Sequence, residues 1–390
     1  MSTGAKEIKG RKAHHRLTWI MGGAAMLLLS GSLATSVKLV QADSDDQFYK
    51  QLNLISDLPN EAIRTDPNLV NPWGIAYPPT GPFWIADNGT GVSTLYDSMG
   101  RPFPKPSSGL VVTVPPAPGS TEGGNPTGIV FNGTADFVVT QNGQSGPARF
   151  IFANEDGSIS GWNPTVNPTE AVGVVNNSGS GAIYKGLALG SNASGNLLFA
   201  TNFHTGVVDM FNSQFGSAGS FPPGPNLPAL FAPFGIRNIG GNLYVTYAKK
   251  ETADSGDDEK GPGNGFVDVF DTSGNFIRRV ASQGTLNSPW GLAVAPSNFG
   301  PFSNALLVGN FGDGRINAFD HTTDQFLGQL EEKKGNPITI DGLWSLTFGN
   351  GGVAGRTTDL FFTAGIDDEN HGLFGRIRAK NVHDEDDENQ

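Results

Sequence analysis

The chain writes one phrase six times, and this repeat limits its possible folds more than any other feature. "NPWGIA" (71–76) returns as "NPTGIV" (125–130), "IYKGLA" (183–188), "APFGIR" (232–237), "SPWGLA" (288–293) and "GLWSLT" (342–347). The anchor positions Gly74, Gly128, Gly186, Gly235, Gly291 and Ser345 are 54, 58, 49, 56 and 54 residues apart. Each unit continues with a second apolar run ("FWIAD", "DFVVTQN", "LLFATN", "LYVTY", "ALLVGN", "DLFFTAG") and a third ("GVSTLYD", "GSISGWN", "GVVDMFN", "GFVDVFD", "GRINAFD", "GLFGRIR"). Room for a fourth strand follows, as in "GLVVTVP" at 109–115. Short apolar runs bounded by Gly, Pro, Asn and Asp are the pattern of strands and turns. Four strands per unit of about fifty residues is the period of a propeller blade. A solenoid would need atypical polar caps at its ends, whereas the first unit here matches the pattern well.

The expected fold is therefore all-β: a six-bladed β-propeller of four-stranded blades spanning 43–380. The last unit stops after its third strand, while "QFYKQLNLISD" (47–57) precedes the first anchor. The expected closure has this N-terminal strand supplying the missing outer strand of the last blade, by pairing with 372–378. The anchor glycines are expected to open the innermost strands, where the blades converge and a side chain is crowded. Trp73, Phe234, Trp290 and Trp344, one residue before their anchors, read as packing between blades.

Residues 1–42 differ from the rest. Lys6, Lys9, Arg11, Lys12 and Arg16 precede an uncharged stretch from Leu17 to Val37, and small residues close in "VQA" before Asp43. This is the order of a secretory signal peptide; an uncleaved membrane anchor is the other reading. Either places the propeller outside the cytoplasm. There is no cysteine, so no disulfide framework, thiol catalysis or Cys-ligated metal is available. With a formal net charge of −12, the chain is a poor partner for nucleic acid or an anionic bilayer. Residues 381–390 read as a disordered acidic tail.

The "P-x-G-I/L-A … A-D … G-x-V-x-V-F-D" grammar resembles NHL-type six-bladed propellers. "NPWGIAYPPTGPFWIADNGTG", "YKGLALG" and "HGLFGRI" resemble a family of uncharacterised exported bacterial propellers. The likeness covers roughly residues 50–378 and implies a fold and an extracytoplasmic address. A more distant likeness is to gluconolactonase and paraoxonase propellers, which hold a metal at the channel mouth.

Strand direction alternates within a blade, so loops between second and third strands should share one face with the segments leading into the inner strands. Asp87, Asn88, Asn142, Asn202, His204, Asn310, Asp313, Asp367, Asp368, Glu369, Asn370 and His371 are all assigned to that face. Asn88, Asn142, Asn202 and Asn310 are read as equivalent positions of four blades. Two readings of this oxygen-rich face are open. One is a ligand site, formed by Asp87, Asn88, Asn142, Asn202, His204, Asn310, Asp367, Glu369 and His371, with Asp87, Asn202, Asn310 and Asp367 as oxygen ligands for Ca2+. The other is turn chemistry, because Asn tolerates left-handed turns and caps loops. The acidic insertion 251–260 lacks EF-hand spacing and reads as solvated. "NEDGS" (154–158) reads as a hairpin turn on the opposite face. No HExxH, G-x-S-x-G or P-loop occurs.

The expected function is a monomeric, extracytoplasmic binding or scaffold propeller for a small polar ligand or an extracellular protein. The alternative is a Ca2+-dependent hydrolase of the lactonase type.

Overall fold

The computed structural model describes residues 47–120 and 124–381; the proposed leader 1–42 and the tail beyond 381 lie outside them. Six blade sheets make up the ring: five antiparallel four-stranded sheets and, in the last blade, four antiparallel strands with the short strand Arg64–Thr65 added in parallel at the edge. The first blade comprises Pro72–Ala76, Phe83–Asp87, Val92–Tyr96 and Val111–Thr113. The second comprises Pro126–Phe131, Phe150–Asn154, Ser158–Trp162 and Val172–Asn176. Tyr184–Asn192, Phe231–Ile239, Pro289–Val294 and Leu343–Phe348 are the inner strands of the remaining four. In the last blade Gln47–Ser56 is the outer long strand, antiparallel to Leu373–Asn381 from Gln47 opposite Asn381 to Ser56 opposite Leu373. The chain is thus a six-bladed β-propeller.

The recurring glycine has a steric cause. A Cβ on Gly74 would lie 2.6 Å from the Thr127 carbonyl oxygen of the next inner strand, and one on Gly186 would lie 2.9 Å from that of Phe234. Gly128, Gly235 and Gly291 meet the following blade's backbone in the same way. Threonines of the second strands tie these contacts: Thr201 Oγ1 donates to the Phe234 carbonyl at 2.7 Å and Thr363 Oγ1 to that of Trp73.

In four of the six units the residue before the anchor is an aromatic that joins a shared cluster where the blades converge. Trp73, Phe234, Trp290 and Trp344 join Phe203 and Phe311 in one buried cluster. Trp73 and Trp344 stack at 3.5 Å between ring centroids, and Phe311 stacks on Trp344 at 4.0 Å. This is packing between blades, as expected, and it plugs one end of the channel. Below the plug the inner strands enclose a cavity of about 320 Å³.

One unit departs from the expected strand order. "FVVTQN" is not the second strand of its blade. Val138–Gln141 and Gln144–Pro147 form a separate two-stranded hairpin inserted between the first and second strands, and the second strand is Phe150–Asn154.

Candidate functional site

The second-to-third-strand loops and the segments leading into the inner strands meet at the plugged end of the channel, as Pro72 opposite Asp87 and Pro289 opposite Asn310 show. A chain of polar contacts runs around this mouth. Lys185, which takes the pre-anchor position of the third blade, ion-pairs with Glu155 of the second at 2.5 Å. Asn88 of the first blade donates to Glu155 Oε2 at 3.0 Å. Asn71 donates to Asn88 Oδ1 at 3.4 Å and to Glu369 Oε2 of the sixth blade at 2.8 Å. Trp344 Nε1 donates to Asn71 Oδ1, joining this network to the aromatic plug. Lys185 Nζ also lies 5.1 Å from the centre of the Trp73 ring, a favourable place for a cation.

The insertion 251–260 is largely exposed, as expected of a solvated loop, but its residues also reach this site. Asp257 lies 4.0 Å from Lys185 Nζ. Lys260 sits 4.5 Å from the Phe311 ring centre and 4.0 Å from Asp368. Asp258 Oδ2 and Ser288 Oγ are buried without a hydrogen-bond partner.

The carboxyls of the mouth are driven apart electrostatically. Burial would raise Glu155, but the Lys185 charge and hydrogen bond and the Asn88 amide outweigh it and hold the group below the usual glutamate range. Burial pushes Glu369 above that range, and the Glu155 charge adds to the rise against the Asn71 hydrogen bond and the two lysines. Burial likewise raises Asp258.

Glu369 is delivered by an unusual turn. Asp367, Asp368 and Glu369 all have positive φ, at 55°, 49° and 65°. Three consecutive non-glycine residues in the left-handed region carry a conformational cost of roughly 1–2 kcal/mol each. Asp367 N–H donates to Asp341 and Asn370 N–H to the Asp367 carbonyl, which holds the turn in place.

The structure disperses the expected site residues. Asn88 and Glu369 belong to the network. Asp87, Asn202 and Asn310 end their second strands, and the structural equivalent in the second blade is Asn154; Asn88 and Asn142 do not share this position. These residues serve the turns of their own blades. Asp87 accepts from Thr94 Oγ1 at 2.8 Å. Asn202 donates to Asp209, and its Oδ1 accepts from the Ile183 and Thr205 amides. Asn310 donates to the Thr285 carbonyl and to Asp313. Asp367 is exposed and His204 half-buried, His204 offering its carbonyl to Lys250 Nζ. Among the described residues no hydrogen bond joins any two of Asp87, Asn202, Asn310 and Asp367, and Asp87 Oδ1 and Asn310 Oδ1 are buried without a hydrogen-bond partner. His371 is committed to the closing segment, its Nδ1 lying 2.7 Å from Asp57 Oδ2. Asn142 lies at the tip of the inserted hairpin with φ 50°. Its neighbour Gln141 meets Asn167 of a third-to-fourth-strand loop, so Asn142 belongs to the opposite face. The insertion displaces the repeat alignment by one strand, and the same displacement sets Glu155, in "NEDGS", on the wrong face. The interval of 58 residues after Gly128, the longest of the five, is the sequence signal of that insertion.

Asp87 gives the first testable consequence. It is fully buried, and burial raises its carboxyl well above the ordinary value of 3.8, against the Thr94 hydrogen bond. A folded-state pKa above the unfolded one means stability is complete below about 3.8 and falls as pH climbs through the raised value. Asn at this position does not titrate. Across that interval the stability difference between the wild type and Asp87→Asn should move in the variant's favour by about 1.4 kcal/mol for each pH step of one. Urea melts of both proteins at stepped pH check this; parallel profiles would contradict it.

The fold and this mouth define a six-bladed propeller with a charged site over an aromatic plug. No protein-family model matches the chain. It is 35% identical over 334 residues to the uncharacterized protein R648 of Acanthamoeba polyphaga mimivirus, covering 83% of this chain and 78% of that one. It is 32% identical over 339 residues to the uncharacterized protein L690 of the same virus, covering 84% and 85%. The chain belongs to the family of these mimivirus proteins. Both relatives are viral, so the resemblance to exported propellers holds for the fold and receives no support in its bacterial part. Solved structures similar to the chain include a streptogramin B lyase, with TM-score 0.49 and 15% identity over 86% of this chain and 98% of that one. A glucose dehydrogenase is similar with TM-score 0.47 and 12% identity, over 84% and 98%.

Proposed function

We propose that the protein is an extracytoplasmic binding propeller that takes a small hydroxyl-rich molecule at the charged mouth. The observation that carries this reading is the Lys185–Glu155–Asn88–Asn71–Glu369 network, contributed by four blades over a water-excluding aromatic floor. Its unused valences are mixed. Lys185 and Lys260 keep donor capacity, whereas Glu369 Oε1 keeps acceptor capacity. A ligand whose groups both donate and accept, as hydroxyls do, satisfies both kinds, and a few placed polar groups over an aromatic base are the usual make-up of such sites. Glu369→Gln keeps the shape of the turn residue and removes its charge.

Calorimetric titration with glucose, galactose, mannose, maltose and cellobiose tests the reading. Saturable heat from at least one saccharide is expected in the wild type, with affinity lowered about tenfold or more in Glu369→Gln, since a hydrogen bond to a charged group contributes ~1.5–3 kcal/mol. No heat from any of the five, or heat unchanged in the variant, would reject it. A hydrolytic second reading has one observation in its favour: neighbouring carboxyls whose pKa values are pushed in opposite directions, the pattern of an acid–base pair. Saturable heat from Ca2+ alone, together with turnover of a simple lactone in its presence, would favour that reading.

A further inference from the structure

We propose that the cavity below the plug is a second binding site, for a small carboxylate with an apolar body, anchored by Arg237. The cavity of about 320 Å³ is bounded by inner-strand residues of the blades, with Ile129, Leu187, Leu189, Ile236 and Leu292 as apolar wall. Its upper end is closed by Trp290 and the aromatics packed around it. Inner-strand residues at its other end, among them Ala76, Tyr77, Val130 and Leu189, are half-exposed, so it opens on the face away from the charged mouth.

Arg237 is the only charged residue among those lining it. Its Nη1 donates to the carbonyls of Leu292 and Leu346 at 2.9 and 2.6 Å, and its Nη2 to Thr347 Oγ1 at 3.1 Å. Those bonds fix the guanidinium plane. They leave Nε–H and one Nη2–H, the adjacent pair of donors that matches the two oxygens of a carboxylate. No carboxylate lies within ion-pair distance of Arg237 among the described residues, although it is one of few cations in an acidic protein. A cation taken out of water without a counter-charge is costly, and burial accordingly holds this guanidinium below its usual range. A bound carboxylate offsets that cost, and its hydrocarbon portion fills the apolar wall. A bare inorganic anion would leave the wall uncovered, which is why the proposal is confined to carboxylates.

The probes are butyrate, hexanoate and benzoate, with hexanamide as the neutral counterpart and inorganic phosphate as the purely ionic one. Thermal-shift titration followed by calorimetry is run on the wild type, Arg237→Met, Arg237→Lys, Leu189→Trp and Glu369→Gln. At least one of the carboxylates should bind saturably and hexanamide and phosphate should not. Affinity should fall tenfold or more in Arg237→Met and in Leu189→Trp, which narrows the cavity without touching the cation, and should be unchanged in Glu369→Gln. Should Arg237→Met fail to fold, Arg237→Lys, which keeps the charge but loses the paired donors, supplies the comparison with the same expected loss. The proposal is overturned if no carboxylate binds, if phosphate binds and the carboxylates do not, or if affinity is unaffected by the change at 237 or 189.

Discussion

Removing residues 47–57 is expected to abolish cooperative folding. The truncation deletes the outer strand of the last blade and leaves Leu373–Asn381 with an unpaired edge. It also removes Phe48, Tyr49, Leu54 and Ile55, all buried. At about 1.5–3 kcal/mol for each large apolar side chain, the four contribute roughly 6–12 kcal/mol, comparable to the ~5–15 kcal/mol that separates most folded domains from their unfolded states. Tyr49 adds a link to the fifth blade, donating to the Phe299 carbonyl at 2.9 Å and accepting from the Phe302 amide at 3.0 Å. Ser56 and Asp57 fasten the other end of the strand, both bonding the Gly372 backbone at 2.7 Å. A urea titration followed by tryptophan fluorescence should show a sharp transition in the full chain and a broad, non-cooperative one in the truncated chain. A truncated protein melting within a few degrees of the full chain would show that the ring does not depend on this strand.

The second large effect is expected at Lys185. Its side chain is buried, and its ammonium is the neighbouring positive charge that keeps Glu155 ionised. Lys185→Met keeps an unbranched apolar stem and removes the charge, leaving Glu155 without its cation. Breaking a buried pair from one side costs about 3–5 kcal/mol; the roughly one-third exposure of the Glu155 side chain brings the expected loss toward the lower figure. Glu155→Gln in the same chain removes the stranded charge, so the double variant should recover much of the loss. Chemical denaturation of the two single variants and the double variant gives the coupling directly. Additive losses would mean that the two residues do not share an interaction, and the network around the mouth would lose its central link.

The architecture was legible because the repeat is a steric requirement written in residue types. Glycine stands at five of the six points where one inner strand abuts the next, as at Gly74 and Gly186. The turn residues likewise announced strand ends. The site was legible only in part, because recurrence and function pull in different directions here. Asp87, Asn202 and Asn310 recur because each blade must close the same turn, and that use takes up part of their hydrogen-bonding capacity. The residues of the mouth are those that break the repeat. Lys185 stands where four other blades carry Trp or Phe. Glu155 follows Asn154 where Phe203 and Phe311 stand in two other blades, and the long 251–260 insertion occurs in one blade alone. Asn71 was hidden in the "NPW" phrase that it opens. Reading the repeat for its exceptions would have found Lys185; the hairpin 138–147, by shifting the second blade's alignment, kept Glu155 out of reach.

Hydrogen–deuterium exchange with and without each saccharide of the panel, at saturating concentration, tests the central claim most directly, because it reports where on the ring a ligand sits. The account predicts slowed exchange in 251–260 and 366–371 with at least one saccharide, and unchanged exchange at Tyr77, Phe131 and Asn238 at the far end of the channel. Unchanged exchange in both loops with every saccharide, or protection confined to the far end, would contradict the assignment of the charged mouth as the binding face.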